Sequence, residues 1–182
     1  MSGVLVQAAL PTARAVRWRP GLALTGVLLV AVVLGRAADR SVDAVLVVAA
    51  AGLAATVVAG LQDPAADLLA AVPVSVMRRR VLRLALVGAP ALATWWLLDS
   101  LSTTTSSGPG PLLALTATGV AVAVWAPTRR AVLVGASTPV VLFALHRVLP
   151  TGTASDVVGR WLTDPWWVLA IATLLCVAGR RR

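Results

Sequence analysis

The stretch AVLVVAAAGLAATVVAGL, residues 44–61, is almost entirely apolar and contains no charged residue. Its length matches a helix that crosses the ~30 Å hydrocarbon layer of a membrane, which needs about 17–25 residues. An isolated strand would leave its backbone polar groups unpaired in lipid, and the polar–apolar alternation of a membrane barrel strand is missing. We therefore predict a transmembrane helix over this segment.

Five further apolar stretches, none interrupted by an acid or an arginine, accompany it at residues 20–35, 84–98, 111–126, 131–145 and 165–179. We predict an all-α membrane bundle of six transmembrane helices that forms one domain over residues 1–182. Several stretches have only 15 or 16 residues. Snorkelling arginine stems and flanking tryptophans can extend such short spans to the interface. All the tryptophans lie near predicted span ends, which is typical of an interfacial aromatic belt: Trp18, Trp95, Trp96, Trp125, Trp161, Trp166 and Trp167.

The composition excludes several functions. Apolar residues make up 59% of the 182 residues and charged residues only 13%, which is more apolar surface than one soluble core of this size can cover. Lysine is absent, so a phosphate-binding loop cannot form. With one cysteine and one histidine, neither an internal disulfide nor a Cys/His zinc site is available. We expect a chain that is not an enzyme and that holds no metal or cofactor.

The positive charges indicate the topology. All 16 basic residues are arginines and the net charge is +9, but they cluster at the ends of apolar stretches, so we expect no nucleic-acid partner. With the N terminus inside, only Arg36, Arg40, Arg147 and Arg160 fall in external segments. Cytoplasmic loops retain positive charge. We therefore predict cytoplasmic N and C termini in a multi-pass protein of the plasma (inner) membrane.

Between the second and third stretches lies QDPAADLLAAVPVSVMRRRVLRL, residues 62–84. We call residues 62–83 the elbow. Asp63 and the following proline are a strong helix start, and Asp67 lies near the positive end of that helix. The helix ends before Pro73, because a proline restricts the preceding residue. Ser75 then caps a second helix that merges into the third span. The first helix presents one apolar face, and the second carries a basic cluster: Leu68, Leu69 and Val72; Arg78, Arg79 and Arg80.

This arrangement resembles the membrane (permease) subunit of an ATP-binding-cassette exporter of the second type. In that family an acid after the second span opens a segment of small residues, Leu-Leu, Pro-Val-Ser and basic residues, matched here from Asp63 through Leu68 and Leu69 to Arg80. The family's usual acid is glutamate, which this chain lacks. The resemblance implies that the segment is a coupling helix, docked on a separate ATPase. It also implies six spans and a short helical piece in the external loop before the last span, here at residues 156–162.

The resemblance implies a permease subunit that couples ATP hydrolysis by a separate cytoplasmic ATP-binding subunit to export of a hydrophobic or amphipathic solute. Such a subunit works as a homo- or heterodimer in the lipid bilayer. The residues themselves leave an alternative open, a non-transporting polytopic protein. It would be an accessory or structural subunit whose basic cytoplasmic face binds anionic lipid headgroups, at about 1 kcal/mol per arginine.

Within the predicted spans, small residues recur every fourth position at Gly52, Thr56 and Gly60, and again at Gly119 and Ala123. Such rows let helix backbones approach closely in lipid. We expect no charge in the middle of a span, which favours an amphipathic substrate over an ion. The polar lining available for a transport path is a set of hydroxyls: Thr25, Thr56, Thr94, Thr116, Thr118, Ser137, Thr138 and Thr173.

The predicted topology is tested by Ser106→Cys and Thr128→Cys, each in a Cys176→Ala background. Ser106 lies in the predicted external loop and Thr128 in a predicted internal one. A membrane-impermeant maleimide applied to intact cells should label the first variant and not the second. Equal labelling of both would contradict the six-span topology.

Overall fold

The computed structural model describes residues 18–62, 76–102, 108–126 and 130–179, with side chains from residue 81 onward in the second of these ranges. These residues are helical, and the described part of the chain contains no strand. The helices are α1 Trp18–Ala37, α2 Asp43–Ala59, α3 Val76–Ser100, α4 Gly110–Trp125, α5 Ala131–Val148, α6 Thr153–Val158, α7 Arg160–Thr163 and α8 Pro165–Gly179.

Three segments in the described residues are long and apolar enough to cross a membrane: Trp18–Ala37, Val81–Ser100 and Ala131–Val148. The other apolar helices, α2, α4 and α8, have 17, 16 and 15 residues. At 1.5 Å per residue they are about 22–26 Å long. Every predicted apolar stretch is therefore helical, and three of the six helices reach a full membrane-spanning length. The membrane class is supported by these three helices.

The two predicted features at the ends of the third and fifth stretches are present. α3 begins at Val76 and continues without a break through the third apolar stretch, so the helix that carries Arg78–Arg80 does merge with it. The loop after α5 contains the short helices α6 and α7, which overlap the expected piece at residues 156–162. These helices fold over the end of α5, where the rings of His146 and Trp161 meet edge to face with centroids 6.3 Å apart.

The shorter helices α2 and α4 form the centre of the bundle. α2 packs against α1, α3, α4 and α5, and α4 packs against α2, α5 and α8. Eight of the 17 residues of α2 are buried, whereas only two of the 20 residues of α1 are. A helix that is apolar on every side suits an interior position. The alanine run of α2, Ala49–Ala51 with Ala54, lets its neighbours approach on several sides.

The outer helices present large apolar side chains outward. On α1, Leu22 and Val27 are both 67% exposed, and on α8, Leu174 and Trp167 are both 69% exposed. Soluble monomers rarely expose apolar patches of this extent. The outward faces of α1 and α8 therefore match a lipid environment.

The prediction that all seven tryptophans form an interfacial belt is wrong for two of them. Trp95 and Trp161 are only 1% and 2% exposed and belong to the core. The indole N–H of Trp95 donates to the carbonyl of Gly108 at 3.0 Å, which satisfies the polar group inside the bundle. Trp96 and Trp166 remain exposed. Position near a helix end therefore does not separate belt from core, because these helix ends are covered by neighbouring loops and helices.

Helices α4 and α5 cross at a contact between glycines. A Cβ on Gly119 would lie 2.7 Å from the carbonyl oxygen of Gly135 and 2.9 Å from Val58. A Cβ on Gly135 would meet the Gly119 carbonyl and the Ala123 methyl group. The backbones therefore touch directly, and the predicted small pair Gly119 and Ala123 lies in this contact.

The glycine crossing predicts a large effect of Gly135→Ala. The added methyl group meets backbone on α4, which cannot move aside as a side chain can, so we expect a loss on the order of 1–3 kcal/mol. Gly26→Ala is the matched control, because a Cβ there has nothing within 4 Å. Thermal unfolding in detergent should show a lower midpoint for Gly135→Ala only. Equal midpoints for both variants would contradict this packing.

Candidate functional site

The elbow falls mostly outside the described residues. Asp63, Asp67, Leu68, Leu69, Val72, Pro73 and Ser75 lie there. Arg78, Arg79 and Arg80 lie in the first turns of α3, and their side chains are also outside the described part. The structure therefore fixes the two points from which the elbow departs, Gln62 after α2 and Val76 at the start of α3.

Arg83 joins these two points. Its side chain is 7% exposed, and its Nη1 donates to the carbonyl oxygen of Gln62 at 2.8 Å. The bond connects residues on either side of the elbow and ties the end of α2 to the first turns of α3. The base of the elbow is thus clamped to both helices.

The predicted row of small residues on α2 faces two different helices. A Cβ on Gly52 would lie 3.1 Å from the side chain of Leu24 on α1. A Cβ on Gly60 would lie 2.8 Å from the side chain of Val87 on α3. Thr56 lies between them and donates its hydroxyl hydrogen to the carbonyl of Leu53 at 2.8 Å. The row therefore brings α1 and α3 onto one face of α2.

A cleft of about 660 Å³ opens between these helices, within the range of ligand-binding pockets. Its lining residues fall between Trp18 and Thr25 on α1, between Leu53 and Gln62 on and after α2, and between Arg83 and Thr94 on α3. Ala136 and Ser137 of α5 complete the lining. From Arg83 to Thr94 the cleft follows α3 for about 16 Å. It begins at the base of the elbow and reaches deep into the bundle.

Four of the eight intramembrane hydroxyls singled out in the sequence converge here: Thr25, Thr56, Thr94 and Ser137. The hydroxyls of Thr25 and Thr94 lie 3.5 Å apart, where α1 and α3 meet. The others are placed elsewhere. Thr116 donates to a carbonyl of its own helix, for example, at 2.8 Å. The helix rotations thus select half of the predicted polar set and place it on one wall.

Sequence reasoning missed Arg83 and Gln62 as members of this site, because both were treated as parts of the elbow. A signal for Arg83 is present in the sequence. Arg83, Val87, Ala91 and Thr94 recur at spacings of four, four and three, which places them on one face of a helix. All four line the cleft.

A second cleft of about 760 Å³ lies between α4 and α8, beneath α6 and α7. Its lining is almost entirely apolar, with Thr118 and Arg160 as its polar members. The guanidinium of Arg160 forms an exposed ion pair with Asp164 at 3.5 Å. We take the first cleft as the functional site, because it combines polar groups with a direct connection to the elbow.

The chemistry available in the first cleft is binding. Among the described residues, no group of three or more His, Cys, Asp or Glu side chains could hold a metal. Comparison of the chain with protein families, curated proteins and solved structures finds no match.

Access to the cleft is tested by Thr56→Cys and Ala54→Cys in a Cys176→Ala background. Thr56 lines the cleft, whereas Ala54, on the same helix, is fully buried. A small water-soluble methanethiosulfonate reagent should modify Thr56→Cys at least about tenfold faster than Ala54→Cys, because only a wetted thiol ionises readily. Equal rates in the detergent-solubilised protein would contradict an accessible cleft.

Proposed function

We propose that this chain is the membrane subunit of an ATP-binding-cassette exporter of the second type. A separate cytoplasmic ATPase binds the elbow, and ATP hydrolysis there drives the export of a hydrophobic or amphipathic solute. The observation that carries the proposal is the position of the cleft, which begins at the clamped base of the elbow and runs between α1, α2 and α3. The sequence of the elbow supplies the resemblance to a coupling helix.

The proposal requires six spans, of which three are formed by helices of full length. α2, α4 and α8 serve as the other three. α2 and α4 contact protein over much of their surface, so they need little matching to lipid. A bilayer thins locally around short apolar segments at a cost of fractions of a kcal/mol per ångström. The location is then the plasma (inner) membrane, with both termini cytoplasmic.

Coupling follows from the clamp between Gln62 and Arg83. Movement of the elbow is transmitted to α2 and α3 together, because the 2.8 Å bond joins them where the elbow leaves and rejoins the bundle. α2 and α3 also form the walls of the cleft. The power stroke of a paired ATPase on a dimer of this chain would therefore change the width of the cleft.

The docking role of the elbow is tested by the double variant Leu68→Asp, Leu69→Asp. Charges on the apolar face of the coupling helix should reduce co-purification with the Walker-type ATPase encoded by a neighbouring reading frame at least about tenfold, because a buried charge without a partner is costly. Membrane insertion should be unchanged.

The matched control is Val148→Asp, at the opposite end of the bundle, where the side chain is 80% exposed. It should retain the ATPase fully. If the double variant retains the ATPase as well, or if no neighbouring frame encodes one, the result favours the accessory membrane protein with a lipid-binding basic face.

A further inference from the structure

The charge in the cleft lies at one end. Among the described residues that line the cleft, Arg83 is the one ionisable side chain. It is more than nine-tenths buried, at the end of the cleft that borders the elbow. Arginine has five N–H donors in a planar fork that matches carboxylates and phosphates, and a guanidinium in an apolar region attracts anions more strongly than one in water. The charge therefore favours an anionic group at this end.

The deep end of the cleft offers little to a headgroup. The hydroxyls of Thr56 and Ser137 donate their hydrogens to carbonyls of their own helices, at 2.8 Å in both cases. Thr25 and Thr94 are within hydrogen-bond distance of each other, so one of their two hydrogens is also used. Most donors at the deep end are thus already engaged, and the surrounding walls are mainly apolar.

The shape of the cleft is long rather than round. It extends about 16 Å along α3 from Arg83 to Thr94. Leu22, Leu53 and Val87 supply apolar surface between its ends. Burial of methylene groups along such walls contributes about 0.8 kcal/mol each. One charged end and one apolar end together describe the complement of a single-chain amphiphile.

We infer that the cleft binds a single-chain amphiphile with an anionic headgroup, the headgroup beside Arg83 and the chain directed toward Thr25 and Thr94. The identification of this molecule as the exported solute rests on the proposed function, but its binding to the cleft does not. A carboxylate and a phosphate monoester share the required chemistry. Uncharged and cationic amphiphiles of the same length lack it.

The binding test uses the full-length chain in nanodiscs of zwitterionic lipid. A photoactivatable dodecanoate is crosslinked to the protein, and the labelled peptides are identified by mass spectrometry. Labels should map to α1, α2 and α3. Excess dodecanoate or dodecyl phosphate should prevent labelling, and the more effective of the two identifies the preferred headgroup. Dodecanol and dodecyltrimethylammonium should be at least about tenfold weaker, because they lack the charge-assisted bond to Arg83.

Two variants test the two ends of the cleft. Arg83→Gln should weaken dodecanoate binding about tenfold or more, with partial recovery in Arg83→Lys. Arg36→Gln, which changes an exposed arginine of α1, should leave binding unchanged. Thr94→Phe fills the deep end, so it should weaken dodecanoate more than octanoate. Val33→Phe is its control, because Val33 is 57% exposed on α1.

Equal competition by dodecanol and dodecanoate would overturn the inference without reference to any variant. Labels confined to the cleft between α4 and α8 would also overturn it. The Leu68→Asp, Leu69→Asp variant separates the inference from the proposed function. It should bind dodecanoate normally even though it loses the ATPase, and failure of ATPase docking with intact binding would reject only the exporter.

Discussion

The close approach of helix backbones around α2 is the constraint on which the rest of the structure depends. Lipid gives no hydrophobic drive for helices to associate, so contact must come from close van der Waals packing. α2 supplies it on several sides, with Gly52 against Leu24 of α1 and Gly60 against Val87 of α3. On another side, Val58 reaches the glycine crossing of α4 and α5 at Gly119. One short, alanine-rich helix thus sets the positions of four others.

The cleft is a consequence of where these contacts lie. α1 and α3 touch α2 at the two glycines and each other at Thr25 and Thr94. Thr56 lies between the glycines, on the floor of the space that these contacts leave open. The same packing that makes the bundle close therefore leaves a long opening on one face of α2. Its polar end is supplied by Arg83, which enters from the first turns of α3.

The helices could be predicted because uninterrupted apolar runs leave few other states in lipid. The merger of Arg78–Arg80 with the third span was predictable for the same reason. The arrangement of side chains was not. Trp161 near a helix end fits a belt or a core equally well until the fold of α6 and α7 is known. Four of eight hydroxyls meet in the cleft because of helix rotations, which apolar composition does not specify. The role of the elbow stays a prediction, since Leu68 and Leu69 lie outside the described residues.

The double position of Arg83 links the elbow to the cleft energetically. Its bond to Gln62 belongs to the base of the elbow, whereas its guanidinium lines the cleft. If an anionic headgroup binds beside this guanidinium, any shift of α3 relative to α2 changes the free energy of that binding. Coupling of this kind is reciprocal, so a ligand that favours one position of Arg83 must favour the matching position of the elbow to the same degree. An exporter built on this chain would then sense its solute through the same residue that transmits the ATPase movement.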